Sequence, residues 1–449
     1  MGTFDVLVRG ARVVGPDSVT RADIGILDGL IAELGAELAG GAVTEIDATC
    51  LHVFPGVVDP HVHFNDPGRA AWEGFETGTA AFAAGGGTCF FDMPLNASPP
   101  TVDGASFDLK VEAARGTALV DYCLWGGLIP GDLDRLDELA DRGVIGFKAF
   151  MCNSGIDDFE QADDRTLLDG MERAAMLGLP VAVHAENDAV TQELAARALA
   201  DGRRAMADYL ASRPVAAELE AVARAIAMAE QTGCSLHVVH ASTATAVMLV
   251  AEARARGVDV TCETCPHYLL LTDEDAERIG ALAKCSPPLR PRVEVEALWG
   301  ELLAGTIPIV ASDHSPAPPE LKESDDAFAI WGGISGCQTL RSSLLAVAET
   351  RGLSLEVIAS LTSAAPADRF GLAGKGRLEP GFDADLAIVD LRHEGVLTAG
   401  ELRYRHQHSP FVGSPLRGRV AHTLLRGRAV IHNGGIAAGP RHGRLVLHR

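Results

Sequence analysis

Eight short apolar runs, separated by longer helical patterns, constrain this chain more than any other feature. They fall at residues 53–63, 88–93, 120–126, 144–150, 180–186, 235–241, 258–265 and 307–314. Each is apolar and often β-branched, as a strand buried on both faces must be. Between them lie amphipathic segments rich in Ala, Leu and Glu, such as 165–177, 216–232 and 243–256. Strand and helix alternating in this way call for a parallel sheet. Eight such units predict a TIM (β/α)8 barrel.

The two chain ends have a different texture. Phe4-Asp5-Val6-Leu7-Val8 alternates, and Asp23-Ile24-Gly25-Ile26-Leu27 and Leu30-Ile31-Ala32-Glu33-Leu34 follow with turn residues between them. After Gly376 the β pattern returns in Asp385-Leu386-Ala387-Ile388-Val389, in 420–426 and in Ala429-Val430-Ile431. The simplest topology pairs the two sets. The expected fold class is therefore α/β: a TIM barrel over 55–375, with a small β-sandwich domain formed by both chain ends, 1–54 plus 376–449.

Composition narrows the function classes. A formal net charge of −23 over 449 residues leaves no basic surface for nucleic acid or an anionic membrane. Nine scattered cysteines read as free thiols in a reducing compartment rather than a disulfide framework. Met1-Gly2-Thr3-Phe4-Asp5 lacks the basic and apolar regions of a signal peptide. No apolar run is long enough for a membrane span. A cytoplasmic enzyme or binding protein is expected.

A barrel gathers the C-terminal ends of its strands onto one cavity. The first run ends in His61-Val62-His63, and residues two apart in a strand share a face. Lys148 lies in the fourth run, His184 in the fifth and His240 in the sixth, and Asp313 ends the eighth. Each has a bland reading. A lone strand-end His is more often a hydrogen-bonded core residue than a ligand. A Lys between two Phe can snorkel, and an Asp before His-Ser-Pro can cap a turn. Convergence outweighs these readings, because six such groups reach one end of one barrel. Imidazole and carboxylate in that number suit two divalent metals. Lys148 is the odd member, since an ammonium beside two cations is repelled. Burial and nearby positive charge favour the neutral amine, which can take up CO₂ as a bridging carbamate.

Other motifs are weaker. Cys262 and Cys265 lie in a predicted strand where their side chains face opposite ways. His237 is out of phase with His240 and is expected outside the cavity. Gly85-Gly86-Gly87 precedes a strand, which is the wrong order for a dinucleotide loop. The Pro-rich loop from Ser315 to Trp331 follows the eighth run at the catalytic end and is expected to act as a lid.

Taken together, these residues resemble the amidohydrolase superfamily, in particular its cyclic amidases: dihydroorotase, dihydropyrimidinase (hydantoinase) and allantoinase. The resemblance runs from the opening strands to Pro380-Gly381-Phe382-Asp383-Ala384-Asp385-Leu386, which is similar to the superfamily's tail signature. It implies that His61, His63 and Asp313 hold one divalent metal and that His184 and His240 hold a second. Carboxylated Lys148 would bridge them. Zinc is the first expectation, with cobalt, manganese or iron also compatible.

Within the group, dihydroorotases read His-x-His-x-Arg, and Asn65 stands at the Arg position here. Dihydropyrimidinases carry a Tyr shortly after the metal Lys, and Ala149-Phe150-Met151-Cys152-Asn153-Ser154-Gly155 has none. Three stretches resemble allantoinases. They are Asp92-Met93-Pro94-Leu95-Asn96 with Pro99-Pro100-Thr101-Val102, Ala283-Lys284-Cys285-Ser286-Pro287-Pro288, and Ser312-Asp313-His314-Ser315-Pro316 with Trp331-Gly332-Gly333-Ile334. That likeness implies a small-molecule substrate, allantoin, opened at its ring amide to allantoate. It also implies Asp313 as the base, Asn65, Asn96 and Ser286 as substrate contacts, and a homotetramer. The alternatives are a hydantoinase or dihydropyrimidinase, or a metal-free binding or scaffold relative.

Overall fold

The structure, a computed structural model, describes residues 4–131 and 133–447. Among them, eight parallel strands form the barrel: Val57–Val62, Gly87–Asp92, Asp121–Leu124, Phe147–Phe150, Val181–His184, Leu236–Val238, Val260–Thr264 and Ile309–Val310. The third resumes as Gly126–Gly127 after Trp125 and there pairs with the fourth. The ring closes where Val62 bridges His314 and the His63 N–H donates to the His314 carbonyl at 2.7 Å.

The strands form here because both of their faces are buried. Val58, Phe91, Trp125, Ala182 and Ile309 pack with one another in one cluster. Val57, Phe90, Leu124, Val181 and Val310 take the opposite phase and belong to the cluster shared with the helices. The helices carry their own end signals. Asp163 accepts from the Thr166 N–H at the start of Asp164–Leu177, and Gly178 closes that helix in the left-handed region at φ 69°.

One expected strand divides. The run 53–63 is two strands, because His52–Pro55 joins the terminal sheet and only Val57–Val62 enters the barrel. Gly56 is the crossing point, and a Cβ there would meet Thr88 Oγ1 at 2.1 Å. Among the described residues the terminal sheet has nine strands. Those from the N-terminal end meet Leu386–Val396, Pro415–Leu425 and the final strands through His52–Pro55. No helix among the described residues is long and apolar enough to cross a membrane.

The barrel and this sheet are clamped by one buried ammonium. Lys375 Nζ lies 2.8 Å from Asp121 on the third barrel strand, 2.9 Å from Asp383 and 2.7 Å from Asp385. These carboxylates lie close enough together to hold a cation, but the lysine already sits among them. Removing one partner of a buried ion cluster leaves the others uncompensated. Lys375→Met is therefore expected to cost about 3–5 kcal/mol in urea unfolding. A loss below ~1 kcal/mol, the scale of an exposed pair, would show that the cluster does not hold the junction.

Candidate active site

The strand ends bring two groups of ligand atoms together. His61, His63 and Asp313 offer atoms within 4.8 Å of one another. Asp313 Oδ1 stands 3.2 Å from His61 Nε2 and 3.6 Å from His63 Nε2. Beside them, His184 Nδ1 and His240 Nε2 approach to 3.0 Å, and the His61 and His240 ring centres are 5.4 Å apart. His240 and Asp313 both lie just beyond their strands, at φ 40° and 44°. Non-glycine residues take this left-handed region at a cost that the surrounding structure must offset, and such strain gathers at functional sites.

Each group contains one imidazole fixed from behind by a buried carboxylate. His61 donates from Nδ1 to Glu263 Oε1 at 2.6 Å, which leaves Nε2 as the lone pair facing Asp313. His237 donates from Nε2 to the other Glu263 oxygen at 3.1 Å. Burial would raise the Glu263 carboxyl, but His61 and His237 hold it down at about 2. On the other side, His184 donates from Nε2 to Glu186 Oε2 at 2.8 Å, which leaves Nδ1 facing His240. Burial opposes the Glu186 charge too, yet Arg213 and His184 hold its carboxyl at about 2. Burial keeps His63, His184 and His240 below the ordinary imidazole value, so their ring nitrogens have lone pairs to offer at neutral pH. Burial also opposes the Asp313 charge. His61, His63 and His240 nevertheless keep its carboxyl far below the usual range, and it is an anion.

Beneath this pair of groups, Asp59 ties the first strand to the eighth. Its Oδ1 accepts from the Ser312 N–H at 3.1 Å and the His61 N–H at 3.3 Å.

Lys148 is fully buried, and its Nζ has no hydrogen-bond partner among the described residues. Burial pushes its ammonium down to about 7, against the pull of Glu263 and Asp313. An orphaned interior amine next to convergent imidazole lone pairs fits the divalent-metal reading, because a carbamate on that nitrogen would supply the missing anionic ligand. The neutral amine is the form that adds CO₂. Reactivation of metal-free protein with zinc, at fixed dissolved CO₂, is therefore expected to quicken as pH rises through about 7. A reactivation rate that stays flat from pH 6 to 8, read from recovered activity, would count against the amine's role.

His61, His63, His184, His240 and Asp313 line a cavity of about 430 Å³; Lys148 is not among its lining residues. A larger groove of about 750 Å³ lies between the Phe75–Ala84 helix and the C-terminal strands and contains none of the candidate ligands. Asn96 and Ser286 reach the catalytic cavity; Asn65 is not among its lining residues. Asn65 Nδ2 instead donates to the Pro316 carbonyl at 3.2 Å, which ties the first strand's loop to the last. Asn96 Nδ2 donates to Ser315 Oγ at 3.3 Å.

A phenol also lines the cavity, from a different segment than the dihydropyrimidinase pattern uses. Tyr209 OH lies 2.6 Å from Ser286 Oγ and donates to the Cys285 carbonyl at 3.0 Å. Burial pushes its hydroxyl up to about 12, so it remains a donor.

The loop after the eighth strand forms one wall through Leu321 and 328–333. Two lysines hold it by its backbone. Lys322 Nζ donates to the carbonyls of Trp331 at 2.9 Å and Gly333 at 2.8 Å, and Lys284 Nζ donates to those of Phe328 and Ile330.

Sequence reasoning missed Glu186, Glu263, Arg213 and Tyr209. His237 is indeed off the cavity lining, but it braces Glu263, which braces His61. Two of these had a signal: Glu186 and Glu263 are acidic residues inside apolar runs, and a buried carboxylate requires a partner.

The Amidohydrolase family profile matches residues 52–430. An allantoinase of Rubrobacter xylanophilus is 59% identical over 447 residues, covering 99% of this chain and 98% of that protein. An allantoinase of Deinococcus radiodurans is 53% identical, covering 100% of this chain and 99% of that protein. Among solved structures, the L-hydantoinase (dihydropyrimidinase) from Arthrobacter aurescens superposes with a TM-score of 0.96 at 37% identity, covering 99% of this chain and 100% of that one.

Proposed function

We infer the reaction from one premise: the chain belongs to the amidohydrolase family. It is a hydrolase acting on a cyclic amide. We propose that the substrate is allantoin, opened at its hydantoin ring amide to allantoate in purine (ureide) breakdown. The observation that carries this reading is the 59% identity, over nearly the whole chain, to a protein named allantoinase.

In this reading His61, His63 and Asp313 would hold one divalent ion, and His184 and His240 the other. Lys148 would complete the ligand set as a carbamate, formed when its neutral Nζ adds CO₂ and releases a proton. When bound, the ions, with zinc as our first assignment, lower the pKa of water to about 7 and polarise the ring carbonyl. Asp313 accepts the proton of the attacking water and delivers it to the ring nitrogen as the C–N bond breaks. Without that proton the nitrogen would leave as an anion. Asn96 and Ser286 grip the ring and the ureido arm from the cavity wall, and Asn65 serves them from behind by holding the Pro316 loop.

We further place the protein in the cytoplasm as a homotetramer, with units 1–54 plus 376–449 and 55–375.

The close superposition on L-hydantoinase makes a hydantoinase the competing reading. Rates on allantoin, hydantoin, dihydrouracil and dihydroorotate by the purified protein separate the two. Allantoin is expected to be the preferred substrate by kcat/KM. A preference for dihydrouracil or hydantoin would overturn the assignment and leave the hydrolytic site intact.

A further inference from the structure

We propose that Arg213 is a positioning residue for one half of the metal centre. Acting through Glu186, it fixes the tautomer and plane of His184, and so sets how tightly the ion on His184 and His240 is retained. The inference rests on the two-metal reading above and deepens it.

Arg213 lies in the turn between the helices Met206–Ala211 and Val215–Thr232. It donates from Nε to both Glu186 oxygens, at 3.0 and 3.1 Å, and from Nη2 to Oε2 at 2.7 Å. Two N–H groups on one carboxylate fix its plane as well as its charge. The same Oε2 receives the His184 Nε2 proton at 2.8 Å. A carboxylate can accept only if that nitrogen carries the hydrogen. The lone pair is then on Nδ1, the atom 3.0 Å from His240 Nε2.

His240 offers no second anchor, because its Nδ1 has no partner among the described residues. The orientation of this half therefore depends on His184, and His184 depends on Glu186. The other half differs: there Glu263 is held by His237, from a neighbouring barrel strand. Glu186 depends on a guanidinium 27 residues away in a loop.

Arg213 is itself fixed. Its carbonyl accepts from Arg290 Nη1 at 2.7 Å, and Arg290 also donates from Nε to Ser242 Oγ at 2.9 Å. Ser242 follows His240 by two residues, so one chain of hydrogen bonds reaches the ends of both ligand strands. The Arg213 side chain is 17% exposed and lines the catalytic cavity.

The test is metal content per chain after equilibration against a graded series of dipicolinate. Wild type, Arg213→Lys and Arg213→Gln are compared, with circular dichroism on each sample. Arg213→Gln is expected to release one of its two ions at a chelator concentration about 10–100-fold lower than wild type, the usual cost of losing an outer-shell partner. The second ion should leave where it does in wild type. Arg213→Lys keeps the charge without the planar fork and should fall between them. In Arg213→Gln, kcat should follow occupancy and recover in excess zinc, while KM stays near wild type.

A merely structural arginine would instead loosen both ions together. Loss of both ions together, or wild-type retention of both, overturns the proposal. Should Arg213→Gln not fold, Arg213→Lys decides, and wild-type retention in that variant overturns it. A wild-type chain that never holds two ions fails the two-metal reading itself, and the proposal falls with it.

Discussion

Lys148→Ala is expected to give a folded protein that binds little metal and has lost more than ~100-fold in activity, above the cost of removing an outer-shell partner. The physical reason lies in the environment of Nζ. It is buried, has no hydrogen-bond partner among the described residues and is pushed down to about 7, so the ammonium form is disfavoured there. As a carbamate it would be the anion that two neighbouring cations would require. The alanine variant leaves a space beside Phe150, whose ring centre is 5.1 Å from Nζ. Short carboxylic acids such as acetate or propionate can enter that space, and they are expected to restore part of both metal content and rate. Two tightly held metals and full activity in Lys148→Ala would refute the bridging role. Metal loss without chemical rescue would leave Lys148 as a ligand and remove the carbamate.

Asp313→Asn is expected to lower kcat by about 10²–10⁴-fold, the range spanned by general acid–base groups, while much of the metal is retained. Asparagine keeps an oxygen where Oδ1 now faces His61 and His63, but it cannot accept the proton of the attacking water. The loss should appear mainly in kcat, because the cavity walls that grip the substrate are unchanged. Metal analysis on the same sample separates the two contributions. Near-normal turnover with both metals present would remove Asp313 as the base. Loss of turnover only in proportion to lost metal would reduce Asp313 to a ligand.

The barrel was legible because its strands are buried on both faces, and that requirement writes uninterrupted apolar runs into the sequence. The convergence of the candidate ligands was legible because barrel geometry turns strand ends into neighbours. His61, His63, His184, His240 and Asp313 could be assigned to one cavity from their positions in the runs alone. The strand boundary at Gly56 was only partly legible: Pro55-Gly56 is a turn signal, but the run 53–63 reads as one strand across it, and the pairing of His52–Pro55 with the terminal sheet together with the close approach of Thr88 marks the crossing.

The groups behind the ligands were harder still. Glu186 and Glu263 stood in full view, but a buried carboxylate has meaning only once its partners are placed. Those partners come from Arg213 in a distant loop and from His237, which is not among the residues lining the cavity. The Pro-rich loop was readable as a cover for the site. Its attachment through Lys284 and Lys322 to backbone carbonyls was not, because any residue supplies such an acceptor. Asn65 shows the same limit from the other side. Its position in the motif suggested a substrate contact, and the structure gives it a bond to the Pro316 carbonyl.

The central claim is a pair of metals held by six named side chains, and anomalous diffraction from crystals of the active, zinc-loaded protein tests it most directly. The account predicts two peaks, one on His61, His63 and Asp313 and one on His184 and His240, with electron density extending from Lys148 Nζ between them. A single peak, or none, in crystals whose dissolved protein still hydrolyses allantoin would contradict it.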